Sequence, residues 1–209
     1  MLLLSKTLVI LILLFSINLN LHAKLQAQAI EKFEQIYSFK SYNEAEAASD
    51  QLLFTMKSTK FGLITTSFQA YVKSFIVSGE VNNDNYQNIS IAFPAKSIDT
   101  DVDARNEKML DLCLEEKKYP TITVTIPGPL KLTTANYSDL DATILLRGKN
   151  RPFKISFEWK KENNNLIVSG KATLKLSELE IPDPSIAIAK VEDEININFK
   201  ISLNLTSKL

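Results

Sequence analysis

The sequence predicts an all-β domain built on one antiparallel sheet, and three observations carry that expectation. Apolar residues recur at every second position through most of the chain beyond residue 50, the period of a half-buried strand. Turn-forming residues separate these segments at short intervals, as hairpins require. Only Thr100 to Lys118 breaks the alternation. Roughly seven to nine strands joined in this way form a sheet that must close on itself or stack on another.

The first residues are read apart from the sheet. Lys6 precedes an unbroken apolar run from Leu8 to Ile17. A run of about ten residues has the length of a signal-peptide core and is too short for a bilayer of ~30 Å. Small residues follow in Leu21-His22-Ala23 and again in Ala27-Gln28-Ala29. The expectation is a signal peptide over residues 1–23, with Ala29 as a later cleavage point, and one domain over 24–209. About 180 residues then remain, enough for a single sizeable core.

Between 27 and 48 no period shows. Phe33, Ile36, Tyr37 and Phe39 are expected to be buried, and Asn43 to Ser49 to form an exposed loop or a short helix. Leu52, Phe54 and Met56 then alternate, and Thr65 to Tyr71 reads as a more polar strand. Phe75, Val77 and Val81 flank Gly79, while Ile89, Ile91 and Phe93 lead into Pro94. Ile122, Val124 and Ile126 alternate with threonines at 121, 123 and 125. Phe153 to Trp159 and Leu166 to Leu176 repeat the pattern, with Gly170 as a bend or close-approach site. The last strand is the clearest: Ile195, Ile197, Phe199, Ile201, Leu203 and Leu205 share one face, for about eleven residues, the full height of a barrel. Turns are expected at 82–85, 127–129, 148–150 and 163–165.

The exception is read as a helix from about Asp101 to Leu114. Val102, Met109, Leu112 and Cys113 recur near helical spacing. Thr100 with Asp103 resembles a capping box, and Asp101 stands four residues before Arg105, the favourable ion-pair order. Tyr119-Pro120 closes the segment.

Composition removes several classes of function. The sole histidine, His22, lies in or beside the expected leader, so the remaining chain has no Ser-His or Cys-His pair and no imidazole for a metal. Cys113 is the single cysteine and forms no internal disulfide; it is expected as a small buried hydrophobe. Basic and acidic residues balance at 24 each, which argues against nucleic acid and against anionic membrane surfaces. The acidic group Asp99, Asp101, Asp103 and Glu107 fails as a calcium loop, because Ala104 and Leu110 stand where glycine and glutamate are needed. Glu178, Glu180, Asp183 and Glu192 to Glu194 read as solvated turns. No catalytic residue, metal site or cofactor is expected.

Four motifs in order carry a resemblance. Ser97-Ile98-Asp99-Thr100 is followed by Arg105, then by Lys118-Tyr119-Pro120-Thr121-Ile122-Thr123. Leu145-Leu146-Arg147-Gly148 with Arg151-Pro152-Phe153 comes next, then Leu176 to Ile181 with Val191 to Ile195. Together these resemble the YceI-like family of bacterial periplasmic proteins over roughly 50–205. The resemblance implies a lipocalin-like antiparallel β-barrel of about eight strands with one short helix, in the periplasm, holding a long polyisoprenoid or quinone-like lipid. It implies no enzyme activity and no stable membrane insertion, and it leaves the oligomeric state open, a dimer included. Lys108, Asn106, Cys113-Leu114 and Val124 depart from the family's usual histidine, aspartate, aromatic pair and phenylalanine.

On that reading the inward residues are the candidate cavity lining: Phe54, Phe68, Phe75, Ile91, Phe93, Ile122, Val124, Ile144, Leu146, Phe157, Leu174, Ile197, Phe199 and Ile201. Thr100, Asp101 and Arg105 are assigned a structural role at the helix start. A forty-carbon chain at about 0.3 kcal/mol per heavy atom gains on the order of 12 kcal/mol, nanomolar binding without any polar contact. Patterning alone favours a dry, filled core, and it is the resemblance that turns the expectation to a cavity. A filled barrel would be a ligand-free structural or partner-binding module in an envelope-stress pathway.

Overall fold

The structure is a computed structural model, and it describes residues 30–131 and 133–204. The expected signal peptide and Leu205 lie outside these residues. The chain runs β1 (Glu31–Ser38), α1 (Tyr42–Ala47), β2 (Gln51–Lys60), β3 (Ile64–Val72), β4 (Ser74–Asn82) and β5 (Asn85–Pro94). A short turn of 3₁₀ helix, β6 (Ile98–Asp99) and α2 (Asp103–Lys108) follow, and α2 continues into a π-helical turn (Met109–Leu114). Then come β7 (Thr121–Ile126), β8 (Leu130–Lys131), β9 (Asn136–Leu146), β10 (Lys149–Glu162), β11 (Asn165–Lys175), β12 (Ala189–Val191) and β13 (Glu194–Asn204).

All thirteen strands belong to one antiparallel sheet, in the order β1-β4-β5-β7-β9-β10-β11-β13-β2-β3-β6, with β8 on β5 and β12 on β2. The fold is all-β as expected, with more strands than about eight. Three of the extra ones, β6, β8 and β12, are fragments of two or three residues. The other two, β1 and β9, were hidden by irregular sequence. In β9 a bulge opposite Ile155 to Phe157, with Asp139 at φ 51°, breaks the alternation.

The sheet curls until its first strand, β1, comes back against β13. β2 pairs β13 only between Gln51 and Thr55, opposite Asn196 to Lys200. Beyond Lys200 the side chains of β1 take over. The amide of Gln35 and the hydroxyl of Tyr37 both donate to the Ser202 carbonyl, at 2.8 and 2.9 Å, and the Asn204 N–H donates back to Gln35 at 2.8 Å. Burial drives the Tyr37 phenol far above its ordinary pKa, so it stays a donor at every relevant pH. Ile36 points the other way and is 65% exposed, which overturns its expected burial; Phe33 and Tyr37, three positions before it and one after, fall on the opposite face of the pleat and face inward.

The interior is two different spaces. At one end Tyr86, Tyr137, Phe157 and Trp159 pack with ring centroids 5.2–5.7 Å apart, and the Trp159 indole donates to the Thr134 carbonyl at 2.7 Å. Such a cluster fills volume, and its indole donor is satisfied. Gly170 makes room for it. A Cβ there would lie 2.4 Å from the Phe199 ring and 2.6 Å from Phe157 Cβ. Only a void of about 40 Å³ is left at this end. The other end is hollow.

The expected helix ends at Leu114 as read, but its start and the type of its last turn are corrected. Asp101 sits in the left-handed region at φ 60°, and the N-cap is Val102, which makes no side-chain cap. Thr100 therefore caps nothing; its hydroxyl donates to Asn106 Oδ1 at 2.7 Å. Arg105 forms no ion pair with Asp101 among the described contacts. Its guanidinium lies 4.5 Å over the Phe68 ring and reaches the Thr100 carbonyl at 3.4 Å. Past Lys108 the wider π turn places Met109 and Leu114, five residues apart, on the inner side. Leu112, expected inside from helical spacing, is turned outward.

Candidate binding cavity

The hollow end holds a cavity of about 510 Å³. Its walls are the far halves of β2, β3, β5, β7, β9, β11 and β13, each presenting every second side chain inward. Phe54, Phe68 and Phe93 line this end beside the small Ala70 and Ala189 without closing it, whereas Tyr86, Tyr137, Phe157 and Trp159 meet ring to ring at the other. α2, its π turn and the loop 177–188 complete the wall and contribute Met109, Cys113, Leu179 and Ile181. Burial pushes the Cys113 thiol up, so it stays neutral, an apolar wall group.

Seven of the sequence-derived lining residues meet around this cavity: Phe54, Phe68, Phe93, Ile122, Ile144, Leu146 and Leu174. Four others, Ile91, Phe157, Phe199 and Ile201, surround the small void at the packed end. Phe75 is fully buried and stacks on Tyr37 at 4.5 Å, away from both spaces. Val124 and Ile197 are partly buried against the core and line neither. Alternation finds which side chains point inward; it carries no information on which end is filled.

Of the apolar lining residues that sequence reasoning missed, Met56, Ala70 and Ile195 lie on strands and the others on irregular segments or next to them. Leu179, Ile181, Pro184 and Ile186 sit in a loop without periodicity, and Met109 sits on the π turn. That loop is held by ions. Lys108 Nζ donates to the carbonyls of Pro184 and Ser185 at 2.6 and 3.2 Å. Arg147 donates to the Glu180 carbonyl at 2.7 Å and pairs with Glu115. The Glu180 carboxylate takes Lys149 and Arg151 at 2.6 and 2.9 Å, and the Arg151 and Lys149 hydrogen bonds hold its pKa at about 2.

The acidic group at the helix start is a structural network. The Asn106 amide donates to Asp99 at 2.9 Å, as does the Asp101 N–H, and Lys73 pairs with the same carboxylate at 2.8 Å. Burial alone would raise the Asp99 carboxyl, but Lys73, Asn106 and the Asp101 N–H more than offset it, and the net direction is down. Of the charged residues on the cavity wall, Lys60, Arg105 and Lys108, every one is cationic. The departures Lys108, Cys113 and Leu114 all face the cavity, whereas Val124 does not.

An antiparallel sheet curled on itself, plugged by aromatic rings at one end and hollow and apolar at the other, defines a cavity-bearing β-barrel. The family model for the YceI-like domain matches residues 38–203, and the chain belongs to that family. Among solved structures, it is similar to one described as a polyisoprenoid binding domain from Saccharophagus degradans, at 15% identity and a TM-score of 0.56. That match covers 74% of this chain and 97% of the other. BcnA from Burkholderia cenocepacia matches at 13% identity and a TM-score of 0.59, over 73% of this chain and 96% of its own. At such identities the likeness is one of fold. No curated protein matches the chain in sequence.

Proposed function

We propose that the protein is an exported, non-enzymatic carrier that holds the apolar tail of an isoprenoid or quinone-like lipid in the barrel. The observation that carries this reading is the cavity of about 510 Å³, walled by aliphatic and aromatic side chains, in a barrel whose other end is packed. The polyisoprenoid-binding description of one structural relative supports it, and so does the signal-like segment Leu8 to Ile17 for a periplasmic location. The alternative, a ligand-free barrel acting through its surface, requires a filled interior, and the cavity argues against it.

The volume sets the cargo. A cavity of ~150 Å³ takes a benzene ring, so 510 Å³ has room for about 20 heavy atoms. A forty-carbon chain does not fit within it. About 20 carbons at ~0.3 kcal/mol each give on the order of 6 kcal/mol, or tens of micromolar. Longer chains must extend through the opening or displace Phe157 and Phe199 from the packed end. The polar end of the lipid lies among Lys60, Arg105 and Lys108, which favour a headgroup bearing oxygen or negative charge.

Protein purified without detergent, weighed by native mass spectrometry and extracted with organic solvent, tests this. An extractable adduct of several hundred daltons, as follows from about 20 or more carbons, is expected. A bare mass that takes up no added polyprenol or quinone would refute it.

A further inference from the structure

The β2–β3 turn and the loop beside it form an exposed apolar tip on the rim of the cavity. Phe61, Leu63 and Ile64 of the turn and Ile186 and Ile188 of the loop are 53–86% exposed. They are one surface: the Phe61 N–H donates to the Ile188 carbonyl at 2.9 Å, and β12 pairs the end of β2 from Ser58 to Lys60. The surface is also continuous with the cavity, because Lys60, Ile186 and Ala189 line it. Clusters of this kind mark a contact site, whereas single exposed apolar residues need no explanation.

The turn itself runs against local preference. Phe61 and Gly62 both have positive φ, 51° and 68°, and Leu63 N–H donates to the Lys60 carbonyl at 3.0 Å. This is the type I′ geometry, in which asparagine is favoured at the first central position and a bulky aromatic is strained. Phe61 gains no burial within the fold in exchange. Charge identifies the partner. Around the tip, Lys57, Lys60, Lys108 and Lys190 stand against two carboxylates, Asp183, which faces Lys190 and Lys108, and Glu192, which is level with Lys57. The overall balance of 24 to 24 conceals this local excess.

We infer that this tip is a reversible docking surface for an anionic lipid bilayer, with Phe61, Leu63, Ile64, Ile186 and Ile188 entering the headgroup region and the lysines facing lipid phosphates. Apolar insertion and electrostatic attraction add in such contacts. Docking there sets the cavity opening against the membrane, where a lipid passes in or out without crossing water. The inference rests on the carrier reading for its purpose but not for its test.

Wild type and F61N/L63S are spun with vesicles of phosphatidylethanolamine and phosphatidylglycerol at low and high salt. Wild type is expected to co-sediment, less at high salt, and the double variant to lose about tenfold in partitioning. Asparagine suits the turn, so the variant is expected to melt no lower than wild type. Wild type that stays in the supernatant, a variant that binds as well, or a tip buried in self-association by sedimentation velocity overturns the inference. Extraction of the same samples separates the two proposals. Lipid-loaded protein that ignores vesicles overturns docking alone; a protein without extractable lipid that binds through the tip leaves docking standing and removes the carrier.

Discussion

At the residue scale, the fold depends on a few close approaches. Gly170 is one, since Phe199, Phe157 and the Ser156 carbonyl leave a Cβ no space within 2.6 Å. G170A is expected to destabilise the domain by about 1–3 kcal/mol, as overpacking does, read as a lower urea midpoint at an unchanged slope. Ala70 is the opposite case: it is buried but faces open volume. A70F adds a ring into the cavity and not into a packed core. Uptake of a twenty-carbon isoprenoid should fall by about tenfold or more while stability changes by less than about 1.5 kcal/mol. A parallel loss of both would mean that the space is not available. Alternation places both residues inward in the sequence. Neither residue's sequence position says that one is clamped by rings and the other faces a hollow, because that is decided by partners on strands distant in sequence.

At the element scale, the loop 177–188 is attached by polar contacts as well as by the apolar Leu179 and Ile181. Glu180 has its pKa lowered from about 4.5 to about 2 by Arg151 and Lys149. Its contribution to stability is therefore complete above pH 4.5 and is lost as pH falls through 2. The melting difference between wild type and E180Q should be constant at neutral pH and shrink below pH 4.5. A difference that persists at pH 2 would show that charge is not the cause. Lys108 holds the same loop to α2 through two carbonyls. K108A should raise hydrogen exchange in the loop and speed lipid exchange without moving the equilibrium unfolding midpoint by more than about 1 kcal/mol. Strands with clean alternation, β13 above all, were legible from the sequence. The helix was legible from the break in alternation and from its helical spacing, but its exact start and its π turn were not. Its left-handed entry at Asp101 and π turn after Lys108 follow from Asn106 bridging Thr100 and Asp99 and from the demands of the cavity wall, neither of which has a periodic signature.

At the scale of the whole molecule, the account is a barrel with unequal ends. Tyr86, Tyr137, Phe157 and Trp159 are packed at one end, and at the other the inward side chains line a cavity without closing it. The resemblance of the motifs at Ser97 and Lys118 was enough to place the chain in its family. The size of the cavity was not readable, since the same inward residues could have met and closed it. The unequal ends make chain length the most direct measurement. Isoprenoid alcohols of increasing length are titrated into delipidated protein and followed by native mass spectrometry. Affinity is expected to rise up to about 20 carbons, flatten beyond that length, and fall in A70F. No uptake at any length, or affinity that climbs steadily to forty carbons and is indifferent to A70F, would contradict a cavity of this size as the binding site.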